Sequence, residues 1–212
     1  ARHHDANPST IGMLDAMAIG VRRNGVDIGL GWDDDGDRLG AVDEKGEIIW
    51  PDRILILLAR RLLAKKPGGK IVFDVKCTQA LPEDITAHGG VPMMWKTGHS
   101  YIKAKGKEVG AILAGERSGH IYVREGYYEF DDATFAALKL LEYISQQQKS
   151  ISQIIAKFPH YITSPVWHAH CADEKKYAVV DHLTAWLKKE YGADRVIDIN
   201  GARVSFEDGW GL

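Results

Sequence analysis

Apolar residues recur at helical spacing at Ile11, Leu14, Met17, Ala18 and Val21, which predicts a helix capped by Ser9 or Thr10 and ended by Asn24-Gly25. The pattern then changes to alternation, and Val26 to Leu30 and Leu39 to Val42 read as half-buried strands on either side of a short polar stretch. Glu44-Lys45-Gly46 is a turn, Ile48-Ile49-Trp50 a short strand, and Pro51 stands in the first turn of a helix running to about Leu63. Beyond the Pro67-Gly68-Gly69 loop, Lys70 to Val75 predicts a strand, Gln79 to His88 a helix, and Val91 to Trp95 another strand. A basic helix at Tyr101 to Lys107 and strands at Ala111 to Ala114 and Ile121 to Val123 follow. Asp131 or Asp132 can cap a helix whose apolar positions are Phe135, Leu138, Leu141 and Ile144, and a short helix from Ser150 to Phe158 closes at Pro159. Strands alternating with helices argue for an α/β domain.

After Pro159 the pattern starts afresh, so a domain boundary is expected there. Tyr161 to Ala169 is strand-like, and Asp173 to Tyr191 forms an amphipathic helix. Val196 to Asp198 and Arg203 to Phe206 are short strands around a turn at Asn200-Gly201. The chain opens at Ala1-Arg2-His3-His4 and closes at Gly209-Trp210-Gly211-Leu212, an entry into a strand, which predicts a piece of a longer polypeptide.

Composition narrows the function classes. A chain of 212 residues, 45% hydrophobic and 26% charged, can bury a sizeable core. A formal net charge of -2 provides no basic face for nucleic acid, and no apolar run is long enough to span a membrane. With no signal peptide visible, the expected compartment is the cytoplasm. Cys77 and Cys171 are too few for a disulfide framework and lack metal-ligating neighbours at short spacing.

Candidate chemistry concentrates in the loops. Gly31 to Gly40, reading Gly-Trp-Asp-Asp-Asp-Gly-Asp-Arg-Leu-Gly, places four carboxylates and an arginine between two strands. Asp33, Asp35 and Asp37 alternate, so a tight loop can converge them on one hard cation. With Glu44 they fall at positions one, three, five and twelve of an EF-hand, but Arg38 occupies the position that needs glycine and both flanks are strands. Three carboxylates suit Mg²⁺, which completes its shell with water or substrate phosphate. Lys76, Thr97, Gly98 and His99 all lie just past strand ends, where ligands of open α/β sheets bind. Glu116, Ser118 and His120 alternate along a strand-strand loop, so an extended loop would point them to one side, towards adjacent hydroxyls of a sugar. An acidic metal loop, cationic side chains and a Glu/Ser/His turn make up a phosphosugar site, with the metal and Arg38 meeting phosphate charge.

Asp33-Asp34-Asp35-Gly36-Asp37-Arg38, Lys96-Thr97-Gly98-His99 and Gly115-Glu116-Arg117-Ser118-Gly119-His120 resemble the loops of the α-D-phosphohexomutases, specifically bacterial phosphomannomutase/phosphoglucomutase. Asp74-Val75-Lys76-Cys77-Thr78 and Gly209-Trp210-Gly211-Leu212 are similar to that subgroup as well. The resemblance implies an α/β fold of mixed sheets flanked by helices. Residues 1–47 would end domain 2 and carry the metal loop, 48–159 would form domain 3 with the sugar loop, and 160–212 would begin an α+β domain 4. It implies that Asp33, Asp35 and Asp37 hold Mg²⁺, that Arg38, Lys76 and His99 serve the reaction centre, and that Thr97, Gly98, Glu116, Ser118 and His120 meet the substrate. The implied chemistry moves phosphate between the 1- and 6-positions of a hexose through a phosphoserine enzyme and a hexose 1,6-bisphosphate. The serine loop of that family, of Thr-Ala-Ser-His-Asn-Pro type, is not in these residues, so the chain alone should be inactive and depend on further domains of the same polypeptide. Asp34 replaces a usual glycine, Arg117 a common methionine and Gln79 a frequent arginine. Two other classes compete: a non-catalytic phosphosugar-binding protein that keeps these loops, and a phosphatase with an aspartyl nucleophile, which would leave the Glu116 loop unexplained.

Overall fold

A computed structural model describes residues 6–8, 10–159, 161–162 and 169–212, arranged as two compact units, 1–159 and 160–212. In the first, helix α1 (Ile11–Asn24) buries Met13, Leu14, Ala18 and Val21 against strands β1 (Ile28–Trp32) and β2 (Leu39–Asp43). Ile11, expected on the apolar face, is 59% exposed, and Met13 takes its place. Thr10 is the N-cap by position, but its hydroxyl bonds the Asn7 carbonyl and leaves the helix uncapped; Ser9 lies outside the described residues. Strand β3 (Ile48–Ile49) completes an antiparallel sheet of order β1-β2-β3.

Helix α2 (Pro51–Lys65) starts at its proline and is buried on most sides, with Ile54 to Leu58 buried throughout and the charged Asp52 and Arg61 buried as well. It packs on β2, on helices α3 (Ala80–Ala87) and α5 (Ala133–Ser145), and on the second sheet. That sheet comprises β4 (Lys70–Asp74), β5 (Val91–Trp95), β6 (Leu113–Gly115) and β7 (Ile121–Val123) in the order β5-β4-β6-β7. Its β4 pairs in parallel with β5 and β6, and β7 is antiparallel to β6, so the sheet is mixed. Helix α4 (His99–Val109) covers its other face, closing over Val72, Ala114 and Tyr122 through Ile102. Pro82 fits α3 because it falls in the first turn, where no intrahelical N–H is required. The parallel strands aim the carboxyl ends of β4, β5 and β6 at one edge, from which the loops carrying Lys76, Thr97 to His99 and Glu116 leave.

One helix face differs from the sequence pattern. The buried face of α5 is Ala133, Ala136, Ala137 and Leu140, while Leu138 is 58% exposed and Leu141 is also exposed. Steps of three residues drift round a helix, whereas the i, i+3, i+4, i+7 series stays on one face. Of the two candidate caps, Asp132 is the one used, accepting from the Phe135 N–H at 2.8 Å. Helix α6 (Ile151–Ile155) opens on a capping box between Ser150 and Gln153.

In the second unit, helix α7 (Lys176–Tyr191) precedes the antiparallel strands β8 (Val196–Ile197), β9 (Arg203–Ser205) and β10 (Trp210–Gly211), in the order β10-β9-β8. Arg203 is buried with its guanidinium 3.7 Å from the centre of the Trp210 ring. No described residue of α7 is buried. The strand expected over Tyr161 to Ala169 lies largely outside the described residues. No helix among the described residues is long and apolar enough to cross a membrane.

Candidate functional site

The acidic loop is folded around its first aspartate. Asp33, 7% exposed, accepts the Asp37 and Arg38 N–H groups on Oδ1 at 3.1 Å each, and its Oδ2 pairs with Arg38 Nε. Burial disfavours the Asp33 charge, but the hydrogen bonds from Arg38 and Asp37 outweigh it and hold the carboxyl below its ordinary range. Asp33, Asp35 and Asp37 each place a carboxylate oxygen within 4.8 Å of the others. Asp37 Oδ1 is buried with no hydrogen-bond partner among the described residues and is 3.8 Å from Arg38 Nε. Burial, together with Asp33 and Asp35, pushes the Asp37 carboxyl up despite the nearby His120. An unsatisfied buried carboxylate oxygen facing two further carboxylates is a donor set that a hard cation would complete.

This loop meets the Glu116 loop directly. Arg38 and His120 form an isolated antiparallel bridge, and the Leu39 N–H donates to the Gly119 carbonyl at 3.1 Å. Gly119 has φ 112°, and a Cβ there would stand 3.1 Å from Arg38 Cβ and 3.2 Å from the Leu39 carbonyl oxygen, so only glycine lets the loops touch. The Ala133 N–H donates to the Gly36 carbonyl at 3.1 Å, tying the acidic loop to the start of α5.

Of the alternating residues of the second loop, Glu116 and Ser118 lie side by side and His120 turns away from them. Glu116 is 2% exposed, and its Oε1 accepts the Gly98 N–H at 2.5 Å while Ser118 Oγ stands 3.5 Å from Oε2. Burial raises the Glu116 pKa, with Asp74 adding to the shift and the Gly98 N–H opposing it. His120 turns towards the acidic loop, with Nδ1 2.7 Å from Asp131 Oδ2 and 3.5 Å from Asp37 Oδ2. Burial alone would lower the His120 pKa, but the Asp131 hydrogen bond and the neighbouring carboxylates raise it overall. Its partner Asp131 is correspondingly lowered in spite of burial. Asp131 Oδ2 also accepts the Tyr122 hydroxyl at 3.2 Å.

His99 reaches the same place from α4, its ring stacked on His120 with centroids 5.2 Å apart. Gly98 before it has φ 129°, outside the range of other residues, and this turn aims its N–H at Glu116. Thr97 Oγ1 donates to Asp74 Oδ2 at 3.0 Å. Lys76 is exposed just past β4. Arg38, Thr97, Gly98, His99, Glu116, Ser118, His120 and the three aspartates are thus linked through direct contacts, whereas Lys76 makes no hydrogen bond or ion pair among the described residues. Sequence reasoning did not count Asp52, Asp74 and Asp131 among the site residues, reading Asp131 only as a candidate helix cap and Asp74 only as part of a family-like run, although all three are polar groups of this edge. A carboxylate ending the apolar run Ile71-Val72-Phe73 was the available sign for Asp74, since a buried aspartate requires partners.

The model for phosphoglucomutase/phosphomannomutase, alpha/beta/alpha domain III, matches residues 50–161. The chain belongs to the phosphoglucomutase/phosphomannomutase family. It is 42% identical over 210 residues to a phosphomannomutase/phosphoglucomutase of Pseudomonas putida, covering 99% of this chain and 45% of that protein. It is 40% identical over 211 residues to a phosphoglucomutase of Neisseria meningitidis serogroup A, again covering 99% of this chain and 45% of that protein. The crystal structure of a phosphoglucomutase/phosphomannomutase family protein from Burkholderia thailandensis superposes with a TM-score of 0.88 at 38% identity, over 100% of this chain and 44% of that one. The chain therefore spans less than half the length of these relatives.

Proposed function

We propose that these residues belong to a Mg²⁺-dependent phosphohexomutase that interconverts hexose 1-phosphate and hexose 6-phosphate, of glucose, mannose or both, and that they supply its metal and sugar-recognition loops. The Arg38–His120 bridge carries this reading, because it brings a three-carboxylate cluster and a buried sugar-type loop to one edge of the sheet. Asp33, Asp35 and Asp37 would hold the ion, and the buried Asp37 oxygen that accepts no hydrogen bond among the described residues supports that fit. Bound Mg²⁺ would supply positive charge against the oxygens of the transferring phosphoryl group.

The chain's own side chains do the rest. Arg38 and Lys76 bring fixed positive charge to the phosphates. Glu116 and Ser118 orient the hexose hydroxyls, while Thr97 and the Gly98 backbone shape the wall beside them. With Nδ1 of His120 engaged by Asp131, its Nε2 is the atom left to exchange a proton with the reacting hydroxyl, beside the stacked His99. The phosphoserine that donates to the hexose 1,6-bisphosphate intermediate would come from polypeptide outside these 212 residues, so the chain by itself should not turn over substrate.

A coupled assay of the full-length protein with glucose 1-phosphate, catalytic glucose 1,6-bisphosphate and Mg²⁺ tests the proposal. Isomerised product is expected. Phosphosugar binding without product, with the serine phosphorylated, would favour a binding protein that retains the loops.

A further inference from the structure

We infer that Asp74 is a positioning residue for the sugar-recognition loop: its buried carboxylate locks together the loops that leave β4, β5 and β6. The inference rests on the proposed assignment of Glu116 and Ser118 to the hexose.

Asp74 ends the central strand β4, is 1% exposed, and pairs in register with Trp95 of β5, while its neighbour Phe73 pairs with Gly115 of β6. Its carboxylate therefore projects between the two flanking loops and takes a donor from each. Oδ2 accepts the Thr97 hydroxyl at 3.0 Å, and Oδ1 accepts the Arg117 N–H at 3.0 Å and the Cys77 thiol at 3.0 Å. All three donors come from different strand ends. A buried carboxylate stands where its hydrogen bonds hold it, so these loops share one set of positions.

Arg117 lies between Glu116 and Ser118, so pinning its N–H fixes the Glu116–Arg117 peptide, one residue before Ser118. Its side chain is held independently. The guanidinium sits 4.2 Å from the centre of the Trp50 ring, with Nε 3.4 Å from Asp52 Oδ2, and that buried carboxylate also accepts the Thr78 N–H at 2.9 Å. The sugar loop is thus anchored at its main chain by Asp74 and at its side chain by the start of α2. Both Asp74 oxygens accept from donors of the protein itself, so its carboxylate is occupied with holding the loops.

The chemistry of the hydrogen bonds distinguishes position from charge. In Asp74→Asn the amide oxygen can accept from Arg117 and Cys77, while its NH₂ donates to Thr97 Oγ1, which accepts as readily as it donates. In Asp74→Ala all three bonds are lost. In the full-length protein, Asp74→Ala is expected to raise KM for glucose 1-phosphate by about tenfold or more with Mg²⁺ affinity unchanged, and Asp74→Asn to stay within about threefold of the parent. Amide exchange at Arg117 should accelerate in Asp74→Ala and remain slow in Asp74→Asn. An unchanged KM and a protected Arg117 amide in Asp74→Ala would overturn the inference. So would an Asn variant as impaired as the Ala variant while Arg117 stays protected, because charge would then be the active property. Should Asp74→Ala not fold, Asp74→Ser keeps one short hydroxyl that cannot hold both loops, and a parental KM with a protected Arg117 amide there would count equally against the anchoring. If the parent protein turns over no phosphosugar, the functional assignment fails, and the exchange measurement still decides whether Asp74 fixes the loop.

Discussion

Arg38 and His120 face each other across an antiparallel bridge that belongs to no regular strand pair, and the bridge is closed by the Leu39 N–H on the Gly119 carbonyl. Gly119→Ala attacks that junction twice, through a backbone at φ 112° and through the Arg38 and Leu39 atoms next to the new Cβ. A loss of about 2 kcal/mol in unfolding free energy by urea denaturation is expected, the usual cost of a non-glycine residue in such a conformation plus crowding. Unchanged stability would mean that the two loops separate without cost.

The corrected face of α5 gives a paired test. Leu140 is fully buried on a helix that packs on α2, β2 and β7, so Leu140→Ala should cost about 3 kcal/mol through lost burial and the cavity left behind. Leu138 is mostly exposed, and Leu138→Ala should change stability by less than about 0.5 kcal/mol. Equal effects would restore the face read from the sequence.

That helix shows why some features were legible and others not. Its existence and its start were readable, because an Asp-Asp pair before an apolar run is a capping pattern, but its buried face is mostly alanine. Small residues carry little hydrophobic contrast, so the larger Leu138 and Leu141 dominated the pattern. The candidate site divides in the same way. The acidic loop and the Glu116 loop stood out because local sequence places polar residues between strands. Asp74 and Asp131 did not: Thr97 and Arg117 lie 23 and 43 residues from Asp74 and meet it through parallel strand order, and His120 meets Asp131 across the β7-to-α5 connection, which no short motif marks. The alternation of Glu116, Ser118 and His120 implied one shared direction, but the turn at Gly119 and the bridge to Arg38 draw His120 to the acidic loop instead.

Metal binding should depend on the aspartates unequally. Asp37→Asn neutralises the carboxylate whose buried oxygen lacks a hydrogen-bond partner, and Mg²⁺ affinity by titration calorimetry should fall at least about tenfold. Asp35→Asn should weaken binding in the same direction. Asp34→Asn removes an exposed charge outside the convergent set and should shift affinity by no more than about threefold, through long-range attraction alone. Equal losses at Asp34 and Asp37 would point to a diffuse acidic surface in place of a defined ligand set.

Glu44 supplies a pH test remote from the candidate site. Its carboxylate accepts the Ser152 N–H at 3.2 Å and the Ser152 hydroxyl, joining the turn after β2 to the start of α6. Burial alone would raise its pKa, but the hydroxyls of Ser150 and Ser152 outweigh it and hold the group at about 2. A folded-state pKa below the unfolded value means that the unfolded chain binds the proton more tightly, so the stabilisation is fully present above the unfolded pKa of about 4.5 and is lost as pH falls towards 2. With discount for partial solvent exposure, the expected contribution is about 1 kcal/mol. Denaturation profiles of the parent and Glu44→Gln should therefore differ by about that amount at pH 7 and converge as pH falls to about 2. A difference that persists undiminished at low pH would show that Glu44 acts through packing and not through its charge.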